Sequence, residues 1–112
     1  MPRSLAIREL AELLTVLGHP DRIRIVEELR SEERDVGSLA ELLEVSPSRV
    51  SQQLSVLRAH HVVQRRREGR HVYYHLEKPA LAAWLIDGLQ FLETERGSLH
   101  ASIRDAQQEF KS

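Results

Sequence analysis

Residues 45–58 constrain the fold more than any other part of the chain. Ser46 and Pro47 are residue types that begin helices, as the N-cap and the first helical position. Apolar residues then recur at the spacing of one helical face, namely Val50, Leu54 and Leu57. The other side chains are either short and polar or long and basic. The pattern therefore predicts a helix that buries one stripe and presents a polar face outward.

A shorter helical pattern precedes this segment. Ser38 and Glu41 have the spacing of a capping box, which predicts Ser38 as the N-cap of a short helix. The residues that this helix is expected to bury are Leu39, Leu42 and Leu43. Residues 44–46 form the predicted turn to the next helix. Two helices joined in this way make a helix-turn-helix over residues 38–60.

Two further helices are predicted before the helix-turn-helix. The first covers about residues 4–17 and ends at Gly18. The second begins at Pro20, with Asp21 near the positive end of its dipole, and its apolar stripe contains Ile23, Val26 and Leu29. The charged run over residues 30–35 predicts a solvated turn.

A β-hairpin is predicted after the helix-turn-helix. Residues 62–66 and 71–76 are rich in strand-forming residues and bracket Glu68 and Gly69. Pro79 then begins a long helix, which Gly97 and Ser98 are expected to interrupt, and residues 98–111 form a last amphipathic helix. The expected fold class is mainly α with a small β-hairpin, a winged helix-turn-helix in one domain over residues 1–112.

Composition excludes several classes of protein. The chain contains no cysteine, so disulfides and thiolate metal sites are excluded. No apolar stretch approaches the roughly 20 residues that span a bilayer, and the N-terminus lacks the apolar region of a signal peptide. We therefore expect a soluble cytoplasmic protein with no membrane partner. No nucleophile, carboxylate pair or phosphate loop is assembled, which disfavours an enzyme.

Charge is distributed unevenly along the chain. The formal net charge is −1, yet residues 46–75 carry six arginines and one glutamate. Residues 1–45, by contrast, carry six basic and ten acidic side chains. Because the charge of a patch determines phosphate affinity more than net charge does, the central segment predicts binding to double-stranded DNA.

The polar face of the predicted helix over residues 46–58 suits base recognition. Arginine pairs with guanine, glutamine pairs with adenine, and serine contacts bases or phosphate. The candidate DNA-binding residues of this helix are Ser46, Ser48, Arg49, Ser51, Gln52, Gln53, Ser55 and Arg58. Arg49 and Gln52 are the principal candidates, whereas Gln53 could instead be partly packed. The alternative is an ordinary solvated face, although such faces more often carry Glu and Lys.

The hairpin adds a second basic surface. Four arginines lie within six residues, and the candidate DNA-binding residues are Arg65, Arg66, Arg67, Arg70 and His71. Such a projecting loop suits contact with phosphates or the minor groove. The alternative is an edge hairpin that its charges protect from aggregation.

These motifs together resemble the ArsR/SmtB family of winged-helix repressors. The resemblance covers about residues 5–93 and is carried by residues 17–22, 46–57, 67–70 and 73–74. It implies a homodimer on an imperfect palindromic operator, with residues 1–17 and 79–112 as dimerisation helices and residues 62–76 as the wing. The expected dimer-interface residues are Leu10, Leu14, Leu81, Trp84, Leu85, Leu89 and Leu92. The last helix could instead flank a small-molecule pocket.

Two departures from the family concern metal binding. Residues 35–37 occupy the place of the Cys-x-Cys site that many members have, and they contain no thiol. The other familiar site matches Lys78, Ala80, Phe91 and Thr94, which are not a credible ligand set. The weak remaining metal candidates are His61, His75 and His100, which would suit Ni²⁺ or Zn²⁺. The alternative for these histidines is a scattered surface placement.

His61 is a further departure, because the family usually has glycine at this position. A non-glycine residue there adopts a left-handed helix cap at some cost. Three interpretations remain open: a regulator controlled by nickel or zinc at a non-standard histidine site, a metal-independent regulator responding to another inducer or to its own abundance, and a winged helix that binds an acidic protein.

Overall fold

A computed structural model describes residues 1–111, and for residues 96–103 and 109–111 the description is limited to their helical backbone. The elements in chain order are α1 (Arg3–Leu17), α2 (Pro20–Leu29), α3 (Val36–Leu43), α4 (Pro47–Ala59), β1 (Val63–Glu68), β2 (His71–Leu76) and α5 (Pro79–Lys111). The predicted mainly helical architecture with one hairpin is confirmed.

Side-chain caps determine where three helices begin. The Ser46 hydroxyl accepts from the Arg49 N–H at 3.2 Å at the start of α4, as predicted. His19 caps α2 through Nδ1, which accepts from the Asp21 N–H. The prediction that Ser38 caps α3 is wrong: Asp35 is the N-cap, and its Oδ1 accepts from the Ser38 N–H at 2.7 Å. The helix therefore begins a turn earlier, because a carboxylate is available three residues before Ser38.

The core lies among α2, α3, α4 and the start of β1. The α4 stripe is buried as predicted, and Ile25 of α2 and Leu39 of α3 are fully enclosed. Leu42 was predicted to be buried but is 41% exposed, because Leu39 and Leu43 already occupy the face of α3 that meets the core. The Arg24 guanidinium donates to the carbonyls of Leu42 and Leu43 and so fastens the last turn of α3 to α2.

The wing, defined here as β1 and β2 with their connecting turn, is joined to the segment between α2 and α3. The two strands are antiparallel, with Arg66 opposite Tyr73. Arg34 exchanges two backbone hydrogen bonds with Tyr74 on the far side of β2. The prediction of a solvated turn over residues 30–35 is therefore wrong at its end, because backbone pairing with β2 holds Arg34.

The last helix is continuous from Pro79 to Lys111. The predicted interruption at Gly97 and Ser98 is wrong: glycine in a helix interior costs about 1 kcal/mol, which lowers helix stability without ending the helix.

Two compact units are distinguished, Met1–Ala82 and Ala83–Ser112. Among the described residues, no helix combines the length and apolar character needed to cross a bilayer.

Candidate nucleic-acid interface

The outward face of α4 is exposed where the sequence predicts it. Six of the eight candidate residues are exposed, namely Ser46, Ser48, Arg49, Ser51, Gln52 and Ser55. Gln53 and Arg58 are half-buried. Since Val50, Leu54 and Leu57 anchor the opposite face in the core, the orientation of α4 is fixed by packing. The exposed face therefore presents hydroxyl, amide and guanidinium groups, which are the groups that hydrogen-bond to base edges.

Arg49 is bound by a carboxylate from another helix. Its Nε donates to Asp21 Oδ2 at 2.5 Å, while its side chain remains 53% exposed. The Asp21 side chain is only 8% exposed. The sequence pattern places Asp21 at the start of α2 but does not reveal this contact, because the two residues are 28 positions apart.

Gln53 is held in a similar way by the residue next to Asp21. Arg22 Nε donates to Gln53 Oε1 at 2.7 Å, and Arg22 Nη1 donates to the Val16 carbonyl at the same distance. Gln53 is therefore partly packed, which is the alternative that the sequence left open for it. Its amide oxygen is engaged within the protein, whereas Gln52 on the neighbouring position is exposed. Gln52 is the glutamine that remains available on the α4 face.

One wing arginine is neutralised by local carboxylates. Arg66 Nε donates to Glu33 Oε2 at 2.7 Å, and Arg66 Nη1 donates to Glu68 Oε2 at 2.8 Å. Its guanidinium carbon also lies 5.0 Å from the centre of the Tyr73 ring. The hydrogen bonds to Glu68 and Glu33 raise the pKa of Arg66, and the bond to Arg66 lowers the pKa of Glu68. The cation of Arg66 is thus balanced by two anions.

The other wing candidates are arranged differently. Arg65, Arg67, Arg70 and His71 are all exposed. Among the described residues, no carboxylate lies within ion-pair distance of the three arginines, in contrast to Arg66. Gly69 in the turn has a φ of 62°, a conformation that favours glycine and allows the tight reversal. The wing therefore carries three arginines whose charge is not compensated locally.

The two metal candidates whose side chains are described, His61 and His75, each lie near one carboxylate. His61 Nδ1 lies 3.7 Å from Glu77 Oε2, and His75 Nδ1 lies 3.7 Å from Glu33 Oε1. No cluster of three or more His, Asp or Glu that could hold an ion occurs in the described part of the chain. The His100 side chain lies outside the described residues. His61 has a φ of 58°, so the left-handed cap expected at this position is confirmed.

The expected dimer-interface residues are distributed over two helices. On α1, Leu10 and Leu14 are 47% and 49% exposed. On α5, Trp84 and Leu92 are 48% and 55% exposed, whereas Leu81, Leu85 and Leu89 are half-buried. Exposed apolar side chains on these two helices favour burial against another protein surface.

The chain matches known bacterial regulators over a segment that includes α2, α3 and α4. Residues 19–65 match the model of the arsR family of bacterial regulatory proteins. The chain is 40% identical over 81 residues to a biofilm growth-associated repressor of Agrobacterium fabrum, covering 72% of this chain and 68% of that protein. The chain belongs to the arsR family. The prediction of the family is thereby confirmed.

A second relative and a solved structure extend the comparison. A transcriptional repressor SmtB homolog of Synechocystis sp. is 42% identical over 69 residues, covering 62% of this chain and 52% of that repressor. The chain thus spans about half the length of that relative. The fold also matches the homodimeric winged helix-turn-helix DNA-binding domain Mb0332 of Mycobacterium bovis, with a TM-score of 0.71, 23% identity and coverage of 86% and 92%. The winged-helix fold class is confirmed.

Proposed function

We propose that this arsR-family chain is a transcriptional repressor that binds double-stranded DNA, with α4 in the major groove and the wing on the phosphate backbone. The observation that carries the proposal is the exposed polar face of α4, which three buried residues of the same helix hold outward, together with the exposed arginines of the wing. The face supplies hydrogen-bonding groups for bases. Arg65, Arg67 and Arg70 supply charge for phosphates.

A homodimer on a palindromic operator is the second part of the proposal. The exposed apolar residues of α1 and α5 support it, and the Mb0332 relative is itself described as homodimeric. Two copies of α4 would then enter successive major grooves about 34 Å apart. Replacing Leu10 and Leu14 by glutamate is expected to shift the protein from dimer to monomer in sedimentation equilibrium. A dimer that persists unchanged would place the interface elsewhere.

Metal control is not part of the proposal. His61 and His75 each lie 3.7 Å from a single carboxylate, and two donors do not make the three- or four-ligand set that zinc requires. Thiol chemistry is excluded because the chain contains no cysteine.

The test of the proposal is a DNA titration at two ionic strengths. The probes are a fragment containing the chain's own promoter and sheared genomic DNA, each at about 50 and about 200 mM salt. We expect tighter binding to the promoter at both salt concentrations, and binding that weakens on both probes as salt increases. Equal affinity for the two probes would contradict sequence-specific recognition. Absence of binding to either probe would favour an acidic protein as the partner of the basic face.

A further inference from the structure

Asp21 is a buried carboxylate that the proposed function does not yet use. Asp21 lies in the first turn of α2, and the residue as a whole is 6% exposed. Burying a carboxylate is costly unless the charge is paired and hydrogen-bonded. The ion partner of Asp21 is Arg49, which reaches it from the first turn of α4. The pair therefore links a fixed point in the protein body to a residue on the proposed base-reading face.

The atom that Asp21 contacts determines what Arg49 can still do. A guanidinium has five N–H donors, one on Nε and four on the two terminal nitrogens. Asp21 accepts from Nε. The terminal fork is the part that pairs in parallel with O6 and N7 of guanine. Because the Arg49 side chain remains 53% exposed, this fork can contact a base while Nε stays bound.

The bond from Arg49 Nε to Asp21 also reduces the conformational entropy that the Arg49 side chain loses when it binds a base. An exposed arginine loses rotamer freedom when it binds a base, and that loss weakens discrimination. Asp21 restricts the side chain before DNA arrives. The restraint is itself rigid, since the Asp21 N–H is bound to the His19 side chain and its carboxylate is packed in the body.

We propose that Asp21 is a specificity-determining positioning residue, which holds Arg49 so that each copy of α4 selects guanine at one base-pair position. The proposal rests on the proposed function, namely that α4 reads bases. It differs from a simple helix-to-helix ion pair because it predicts an effect on one base pair rather than on binding in general.

The experiment is a selection from a duplex library that contains a random segment of about 24 base pairs, enough for two half-sites. Each base pair of the enriched duplex is then replaced in turn, and the dissociation constants are measured. Wild type is expected to prefer guanine at a position where Arg49→Ala shows no preference. Asp21→Ala is expected to lower the same preference about tenfold and to keep the preferences at other positions.

Two further variants make the result specific. Asp21→Asn keeps the size and an accepting oxygen but removes the charge, so we expect an intermediate guanine preference. The double variant of Asp21→Ala and Arg49→Ala is expected to match Arg49→Ala alone, because both changes remove one interaction. Glu33→Ala, which removes the carboxylate bound to Arg66 of the wing, is the matched control and should leave guanine preference unchanged.

Several results would overturn the inference. Asp21→Ala could select the same base as wild type, or it could weaken all positions equally, as a structural ion pair would. It could also tighten binding to every duplex, as expected if Asp21 sequestered Arg49 from DNA. If Asp21→Ala fails to fold in circular dichroism, Asp21→Asn decides the question by the same criterion. Failure of the proposed function looks different, because wild type would then enrich no sequence.

Discussion

The α4 face and the wing each contain an arginine bound by a distant carboxylate, Asp21 of α2 or Glu33 of the segment between α2 and α3, but the two pairs differ in burial. The Asp21 side chain is 8% exposed and binds Arg49 through Nε. Glu33 is 34% exposed and shares Arg66 with Glu68. The buried Asp21 carboxylate accepts a hydrogen bond from one nitrogen of the exposed Arg49. Two more-exposed carboxylates, those of Glu33 and Glu68, bind the guanidinium of Arg66.

This difference separates two uses of an ion pair. A buried partner restricts geometry, since it is itself fixed by packing and its charge is poorly screened. Exposed partners compensate charge but add little rigidity, because solvent and salt screen them. We therefore expect Arg49 to act in discrimination between sequences. We expect the three uncompensated wing arginines to act in affinity for any duplex, and the compensated Arg66 to contribute less than each of them.

The largest expected effect is that of Arg49→Ala on discrimination. Removal of a bidentate interaction with guanine should cost about 1–3 kcal/mol on the preferred sequence and much less on random DNA. The measurement is the ratio of dissociation constants for the two duplexes. Arg66→Ala is the matched control, since it removes another carboxylate-bound arginine, and its ratio should stay at the wild-type value. Equal ratios for the two variants would remove the distinction between the regions.

The next effect concerns salt dependence and the wing. Arg65→Ala with Arg67→Ala should reduce the slope of log K against log salt by about 0.9 for each phosphate that the protein no longer neutralises. Arg66→Ala should change the slope less, because Glu33 and Glu68 already balance its charge. Titrations on random duplex between about 50 and about 200 mM salt measure both slopes. A larger change for Arg66→Ala than for Arg67→Ala would contradict the assigned roles.

Sequence patterns predicted the elements well because they are local. The spacing of Val50, Leu54 and Leu57 and the Ser46 cap determine α4 almost unaided. The N-cap of α3 was misplaced because both Asp35 and Ser38 are good caps, and the choice depends on where the chain leaves α2. The pairs of Arg49 with Asp21 and Arg66 with Glu33 join residues 28 and 33 positions apart. Such contacts follow from tertiary packing, which periodicity does not encode.

A stability effect of intermediate size is expected at the α3 cap. Asp35→Ala removes the acceptor for the Ser38 N–H and should lower the free energy of unfolding by about 1 kcal/mol. The hydrogen bonds from Ser38 lower the pKa of Asp35 below its ordinary value. The ionised cap therefore stabilises the folded state fully above the unfolded pKa of about 3.9, and this contribution disappears as pH falls through the folded pKa.

Urea unfolding of wild type and Asp35→Ala across acidic pH measures this effect. The difference between the two proteins should be constant near neutral pH and shrink below about pH 4. Asp35→Asn is the control, because asparagine also caps helices but has no carboxyl group to titrate. Its difference from Asp35→Ala should not depend on pH. If both variants discriminate between DNA sequences as wild type does, the cap supports the fold without positioning α4.

The smallest expected effect is that of Glu33→Ala, which leaves Arg66 with Glu68 as its remaining carboxylate partner. Part of the Arg66 charge then becomes available to phosphate, so binding to random duplex should tighten by less than about fivefold. The salt slope should also steepen, by at most about 0.9. Glu32→Ala is the matched control, because it removes the same charge one residue away, from a carboxylate bound to Arg34 rather than to the wing. If both variants tighten binding equally, the change reflects net charge alone, and the wing pair does not regulate how much charge Arg66 presents.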